Sequence, residues 1–164
     1  MIKPFFVLTT VTVTICFFTC TRKPEIEIER DRLLFLHKAQ QDAHLGKHAK
    51  LFVDQFAENM ISVNRGKILR LAKDSALKRF QAYFDKVEFK KWEDVSSPVI
   101  EFSADASMAY MVIDKLVVLT YKDEKNKPVE ETTHFAWVSV FKKQADSEWK
   151  IVCNVSTNEP EILK

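Results

Sequence analysis

The chain has 164 residues, of which 25 are basic and 23 acidic, for a formal net charge of +2, and 46% of its residues are hydrophobic. Two glycines, five prolines and thirteen phenylalanines are the composition of a packed globule, which excludes a low-complexity or disordered chain. The near balance of charge excludes a basic, phosphate-binding domain, so no nucleic acid is expected as a partner.

At the N-terminus, Lys3 precedes an apolar run from Phe5 to Phe18, followed by Thr19, Cys20 and the polar stretch Thr21-Arg22-Lys23-Pro24. A secretory signal needs an apolar core of about 7–15 residues and a spanning helix about 20, and this run falls in the first class. Residues 1–19 therefore read as an export signal. The segment Phe17-Phe18-Thr19-Cys20 resembles a bacterial lipoprotein cleavage box, which implies diacylglycerol on the Cys20 thiol and a membrane-anchored protein in the periplasm or cell envelope. An ordinary signal cut nearby and an uncleaved anchor are the alternatives. Cys16 would leave with the signal, so acylation of Cys20 strands Cys153 without a disulfide partner, as a small apolar side chain in a late strand. Taking 19 residues from 164 leaves 145, the size of one domain. Its expected parts are a tether over 20–27, an α+β domain over 28–157 and a tail over 158–164.

Leu33, Leu36, Ala39 and Ala43 recur at helical spacing within Pro24–Leu45, predicting an amphipathic helix stopped by Gly46. A second helix is expected from about His48 to Ala57, burying Ala49, Phe52, Val53 and Phe56. Met60–Val63 reads as a strand, Arg65-Gly66 as a turn and Ile68–Leu71 as its partner. Asp74 is the expected N-cap of a third helix with Leu77, Phe80 and Phe84 on its buried stripe. Strands then follow over Val87–Val95, Val99–Ser103, Met108–Tyr121, Val129–Lys142 and Trp149–Val155, parted by polar turns. Consecutive hairpins predict an antiparallel sheet, and strands as long as the two central ones predict strong twist and bend, with the three helices on its concave face.

The runs Gly46-Lys47-His48-Ala49-Lys50-Leu51-Phe52, Phe56-Ala57-Glu58-Asn59 and Ile61-Ser62-Val63-Asn64-Arg65-Gly66-Lys67 resemble the early part of SnoaL-like domains of the nuclear-transport-factor-two-like superfamily. The final Val140-Phe141-Lys142-Lys143, a polar turn and Trp149-Lys150-Ile151-Val152 are similar to that family's last hairpin. The resemblance implies a cone-shaped α+β fold, with a curved sheet around helices and a pocket between them. It implies no single function, because the fold hosts isomerases, dehydratases, binding modules and assembly domains. In the isomerase branch a carboxylate base falls at the position of Asn64 and an oxyanion-stabilising tyrosine at that of Ala39, while a last-strand histidine of many relatives falls at Asn154, two residues before Ser156. None of these groups is present here, which leans against an enzyme.

Tyr110, Asp114, His134 and Trp137 lie mid-strand, where the resemblance places the pocket wall. Asp114 and His134 are the candidate acid/base pair, against the alternative that Asp114 faces solvent with Lys115 inside. Alternation puts Tyr110 and Asp114 on one face, and separates His134 from Trp137 unless a bulge intervenes. Asn64, Tyr110, Asp114, His134, Trp137 and Asn154 are the expected ligand-binding residues, and Trp92 and Trp149 read as core or rim aromatics. Gly46 separates His44 from His48, and His37 lies further back, so no metal is expected, and no cofactor. Three classes of function remain: an envelope lipoprotein binding a small apolar or amphipathic molecule, a homodimerising assembly domain, and a small lyase or isomerase using Asp114 and His134.

Overall fold

The computed structural model describes residues 26–164, so the signal segment, Cys20 and the first residues of the expected tether lie outside the described residues. The order is α1 (Ile26–Leu45), α2 (Ala49–Val53), β1 (Phe56–Asn64), β2 (Lys67–Ala72), α3 (Lys73–Phe84), β3 (Val87–Asp94), β4 (Val99–Phe102), β5 (Met108–Lys122), β6 (Pro128–Lys143), β7 (Trp149–Asn158) and β8 (Ile162–Leu163). Among the described residues three helices pack on one curved, mixed sheet of eight strands.

The sheet runs β2-β1-β7-β6-β5-β3, with β4 also on β5 and β8 also on β6. β5 and β6 pair from Met108↔Lys142 to Lys122↔Pro128 and form its spine. The far side of β5 changes partner partway, β4 taking Ala109–Val112 and β3 taking Lys115–Tyr121. A right-handed twist accumulated over strands this long, with bulges at Phe89/Lys91 and Val140/Phe141, bends the sheet around the helices.

The expected all-antiparallel sheet is corrected at one pair, because β1 runs parallel to β7 (Ile61↔Cys153 to Asn64↔Ser156). These strands are far apart in sequence, so hairpin logic does not govern their direction. The second helix is shorter than expected. Gln55 O accepts from Ile151 N at 2.8 Å, which draws the chain into the sheet, so Phe56 and Ala57 begin β1 instead of ending α2. Arg65 (φ 47°) and Gly66 (φ 73°) make the tight β1–β2 turn, whose two positive φ values match the twist of the flanking strands. The cap of α3 is Ala72, without a side-chain hydrogen bond; Asp74 sits inside the first turn, where its charge favours the helix dipole. Residues 158–164 return to the sheet, where β8 pairs with Glu131 and Thr132 of β6.

Helix α1 meets the sheet with an unusual face. Its buried residues are Glu29, Leu33, His37, Gln40, Ala43 and His44, and Phe35 is 73% exposed on the opposite side. Each buried polar side chain here makes at least one specific hydrogen bond, although His37 Nδ1 is left without a partner among the described residues. Glu29 accepts from Trp149 Nε1 and from Lys143 Nζ, each at 2.7 Å. Burial alone would raise its pKa, but these donors outweigh it and hold the carboxyl below its ordinary value. Further along, His37 Nε2 donates to both Asp94 oxygens at 2.9–3.0 Å, and Gln41 donates to Trp92 O at 2.9 Å. Lys115, 0% exposed, holds its Nζ 2.5 Å from Asp94 Oδ1 and 3.9 Å from the centre of the Trp92 ring.

Removing Glu29 strands an indole N–H and leaves Lys143 without its carboxylate. Glu29→Ala is expected to lower stability by about 2–4 kcal/mol, read as a fall in the urea midpoint with little change in slope.

Candidate functional site

A cavity of about 410 Å³ opens between the sheet and the helices, within the size range of small-molecule sites. Its apolar walls include Phe52 and Phe56 from the α2–β1 region, Phe80 from α3, Trp92 from β3 and Trp137 from β6. Phe52 meets Phe56 and Phe80 edge-on at 4.9 Å between centroids, and Trp92 lies 5.7 Å from Trp137.

Polar groups enter from two sides. Across the sheet, register aligns Ser62, Asn154 and Ser139 in one row, and Asn64, Ser156 and Trp137 in the next. Asn64 Nδ2 donates to Ser156 Oγ at 2.6 Å, and Ser139 Oγ donates to Asn154 Oδ1 at 2.9 Å. The second bond occupies the carbonyl of Asn154, so its amide N–H bonds are the groups left to meet a ligand. Opposite, α1 contributes Gln40 and His44, one turn apart. Gln40 Nε2 donates to Gln55 Oε1 at 2.9 Å, and Gln40 Oε1 accepts nothing from the described residues.

His44 sits in an aromatic nest, stacked on Trp92 at 4.4 Å and edge-on to Phe52, Phe84 and Phe89. Its Nδ1 lies 2.7 Å from Gln40 O, and a carbonyl only accepts, so Nδ1 carries the proton and Nε2 presents a lone pair. Burial pushes the pKa down to about 4, with Lys115 adding to the fall and the Gln40 bond resisting it, so the ring is neutral at pH 7.

The rim is formed in part by α3. Arg79 and Tyr83 line the cavity one turn apart, both exposed at its outer end. Among the described residues, Arg79 is the one permanently charged side chain in the lining and no carboxylate lines it. Arg79 has no ion pair there. Tyr83 has its phenol pushed up to about 12, by burial of the ring against its neighbours and then by the Glu131 charge, so it stays a hydrogen-bond donor.

Three of the expected ligand-binding residues, Asn64, Trp137 and Asn154, line the cavity. Tyr110, Asp114 and His134 do not, and their expected place in the pocket wall is corrected. On β5 the odd positions Met111, Ile113 and Lys115 are at most 1% exposed, while Tyr110 is 44% and Val112 39% exposed, so even positions face outward. Leu116↔His134 pairing puts His134 on that outer face with Asp114, and Ile113↔Trp137 pairing puts Trp137 inside. His134 and Asp114 are hydrogen-bonded, each side chain more than one-third exposed, and Glu159 lies 3.6 Å from His134 Nδ1. The Asp114 bond raises the His134 pKa, as for an ordinary surface pair. Cys153, expected as a buried apolar residue, is a half-buried free thiol in the strand face shared with Val140 and Ile61.

Gln40 is not singled out by the sequence, and His44 is weighed there only as a metal ligand, yet both line the cavity. Their signal was positional: buried positions 29, 33, 37, 40 and 44 keep helical spacing although most carry polar side chains. Ala39, the position of the family's tyrosine, is not in the lining, while its neighbour Gln40 is. Among the described residues no cluster of three or more His, Cys, Asp or Glu side chains could hold a metal.

No protein-family model matches the chain, and no curated protein matches it in sequence. Solved structures do. A hexachlorocyclohexane dehydrochlorinase from Novosphingobium barchaimii is similar over 85% of this chain and 92% of its own, at TM-score 0.65 and 12% identity. An NTF2-like protein from Cytophaga hutchinsonii matches over 80% and 98%, at TM-score 0.62 and 14% identity. A ketosteroid isomerase-like protein from Erwinia carotovora atroseptica matches over 80% and 98%, at 0.63 and 12%. The chain therefore shares the NTF2-like α+β fold of these structures.

Because the His44 pKa is lower folded than unfolded, the unfolded chain takes up its proton first as pH falls. The stability that neutral His44 contributes is full above pH 6.5 and is lost between about 6.5 and 4, about 3 kcal/mol in all. His44→Phe, which suits the aromatic nest, should flatten this part of the stability-against-pH curve measured by urea unfolding.

Proposed function

We propose that this protein is an exported, lipid-anchored binding module that holds a small amphipathic molecule without chemically converting it. The observation that carries this reading is the lining itself: aromatic walls, neutral amide and hydroxyl groups, a neutral imidazole, and no carboxylate among the described residues. Such a surface holds a flat apolar body and orients it by a few hydrogen bonds. The proton-transfer chemistry implied for neighbours named as an isomerase-like protein or a dehydrochlorinase needs a base poised near the working pH. Here the general-base position holds Asn64, the candidate pair Asp114–His134 lies on the outer face, and His44 titrates at about 4. The lipid anchor rests on the Phe17-Phe18-Thr19-Cys20 segment and sets the place of action as the cell envelope.

One observation favours a second role in self-association. The outward positions Tyr110, Val112, Val99 and Val155 are 39–54% exposed across β4, β5 and β7. They form an apolar patch on the sheet face away from the cavity, suited to a second copy of the chain.

Native mass spectrometry of the protein from envelope extracts of its host is expected to show a small adduct lost on denaturation. The adduct should survive in Asp114→Asn and be reduced about tenfold or more in Trp137→Ala, which removes a wall of the cavity. A clean apo dimer in every preparation would move the weight to assembly. Cys20→Ser is expected to shift the protein from the membrane fraction to the soluble envelope fraction, and retention in the membrane would count against the lipid anchor.

A further inference from the structure

The buried and the exposed parts of the cavity lining differ in polarity, in a way that specifies its occupant more narrowly than an amphipathic molecule. This step rests on the binding reading above. The inner end is marked by burial, with Gln40 2% and His44 7% exposed, whereas Arg79 and Tyr83 are exposed at the outer end. At the inner end two hydrogen-bond acceptors stand one helical turn apart and receive no donor from the described residues: His44 Nε2, whose lone pair is set by the Nδ1 bond to Gln40 O, and Gln40 Oε1, whose amide nitrogen is committed to Gln55. Acceptors in a low-dielectric recess that receive no donor from the protein cost free energy until a ligand or water supplies one.

At the outer end the polarity reverses. Arg79 offers a guanidinium with no ion pair among the described residues, and Tyr83 adds a phenolic O–H. Glu131, whose charge reaches Tyr83, forms no ion pair with Arg79. A guanidinium presents its N–H groups in a planar fork that matches a carboxylate in two bonds. Much of the remaining lining is aromatic, with Phe52, Phe56, Phe80, Trp92 and Trp137 offering ring faces and edges against which a flat body packs.

We propose that the cavity binds a flat hydroxy acid, with its hydroxyl donating to His44 Nε2 at the buried end, beside Gln40 Oε1, and its carboxylate paired with Arg79 at the mouth. A free fatty acid satisfies the mouth and leaves both inner acceptors bare. A neutral sterol-like alcohol does the reverse. A hydroxyl-bearing aromatic acid meets both requirements and stacks in the aromatic section.

The test is calorimetric titration of the full chain at pH 7 with hydroxynaphthoate, its methyl ester, methoxynaphthoate and naphthol. The acid is expected to bind about tenfold or more tightly than its ester, and the hydroxyl compound more tightly than the methoxy one, as the loss of one charge-assisted or one buried hydrogen bond predicts. In Arg79→Gln the preference for acid over ester should vanish while that for hydroxyl over methoxyl persists, and in His44→Phe the reverse should hold. An ester that binds as well as the acid, or a preference for acid over ester that survives in Arg79→Gln, overturns the assignment. If naphthol binds and the acid gains nothing, the cavity remains a binding site and only the hydroxy-acid inference falls. If no probe binds, both fall.

Discussion

The structure depends on how helix α1 is held against the sheet. An ordinary surface helix turns an apolar stripe inward and tolerates small slips, because apolar contact is not directional. Here the inward stripe is largely polar, and its side chains bond to defined partners: Glu29 to Trp149 and Lys143, His37 to Asp94, and Gln40 to Gln55. A slip along the helix axis would leave several buried polar groups unpaired at once, each costing about 1–3 kcal/mol. The polar stripe thus sets the rotation and height of the helix. That in turn aims Gln40 and His44 into the cavity.

The second constraint is the long β5–β6 hairpin. Side chains alternate along it, so one parity decides what meets the cavity and what meets solvent. The buried parity of β5 carries Met111, Ile113, Lys115, Val117 and Leu119, and the same parity carried across the ladder brings Trp137 inside. Trp137 packs against both hydrophobic clusters of the core and forms a wall between them. Lys115 is the exception on an apolar row, and its burial is made possible by Asp94 and by the Trp92 ring, a desolvated cation–π contact of about 2 kcal/mol.

Trp92 links these two constraints to the site. The same ring meets the Lys115 ammonium and stacks on His44, so a buried cation stands behind the wall of the cavity. That charge and the apolar nest act in the same direction on His44, disfavouring its imidazolium form. The consequence for function is an imidazole that stays a hydrogen-bond acceptor across the neutral range.

Much of this was legible in the chain. The helices, the two long strands, the Arg65-Gly66 turn and the α+β class follow from local periodicity and turn chemistry, which operate over a few residues. The family resemblance named Asn64 and Trp137 for the pocket, and strand alternation separated Trp137 from His134 without saying which of the two faces inward. What local rules could not supply was the absolute parity of β5. Asp114 and Lys115 are both polar, so either reading of the alternation puts a charged residue inside, and only the partners of Lys115, Asp94 from β3 and Trp92 beside it, decide the matter. The parallel β1–β7 pair and the polar face of α1 are of the same kind. The sequence by itself determined which segments are helices and strands and which residues recur on a common face. The tertiary structure alone decided which face is inner, because that choice is made by contacts between residues tens of positions apart whose pairing leaves no periodic trace in the chain.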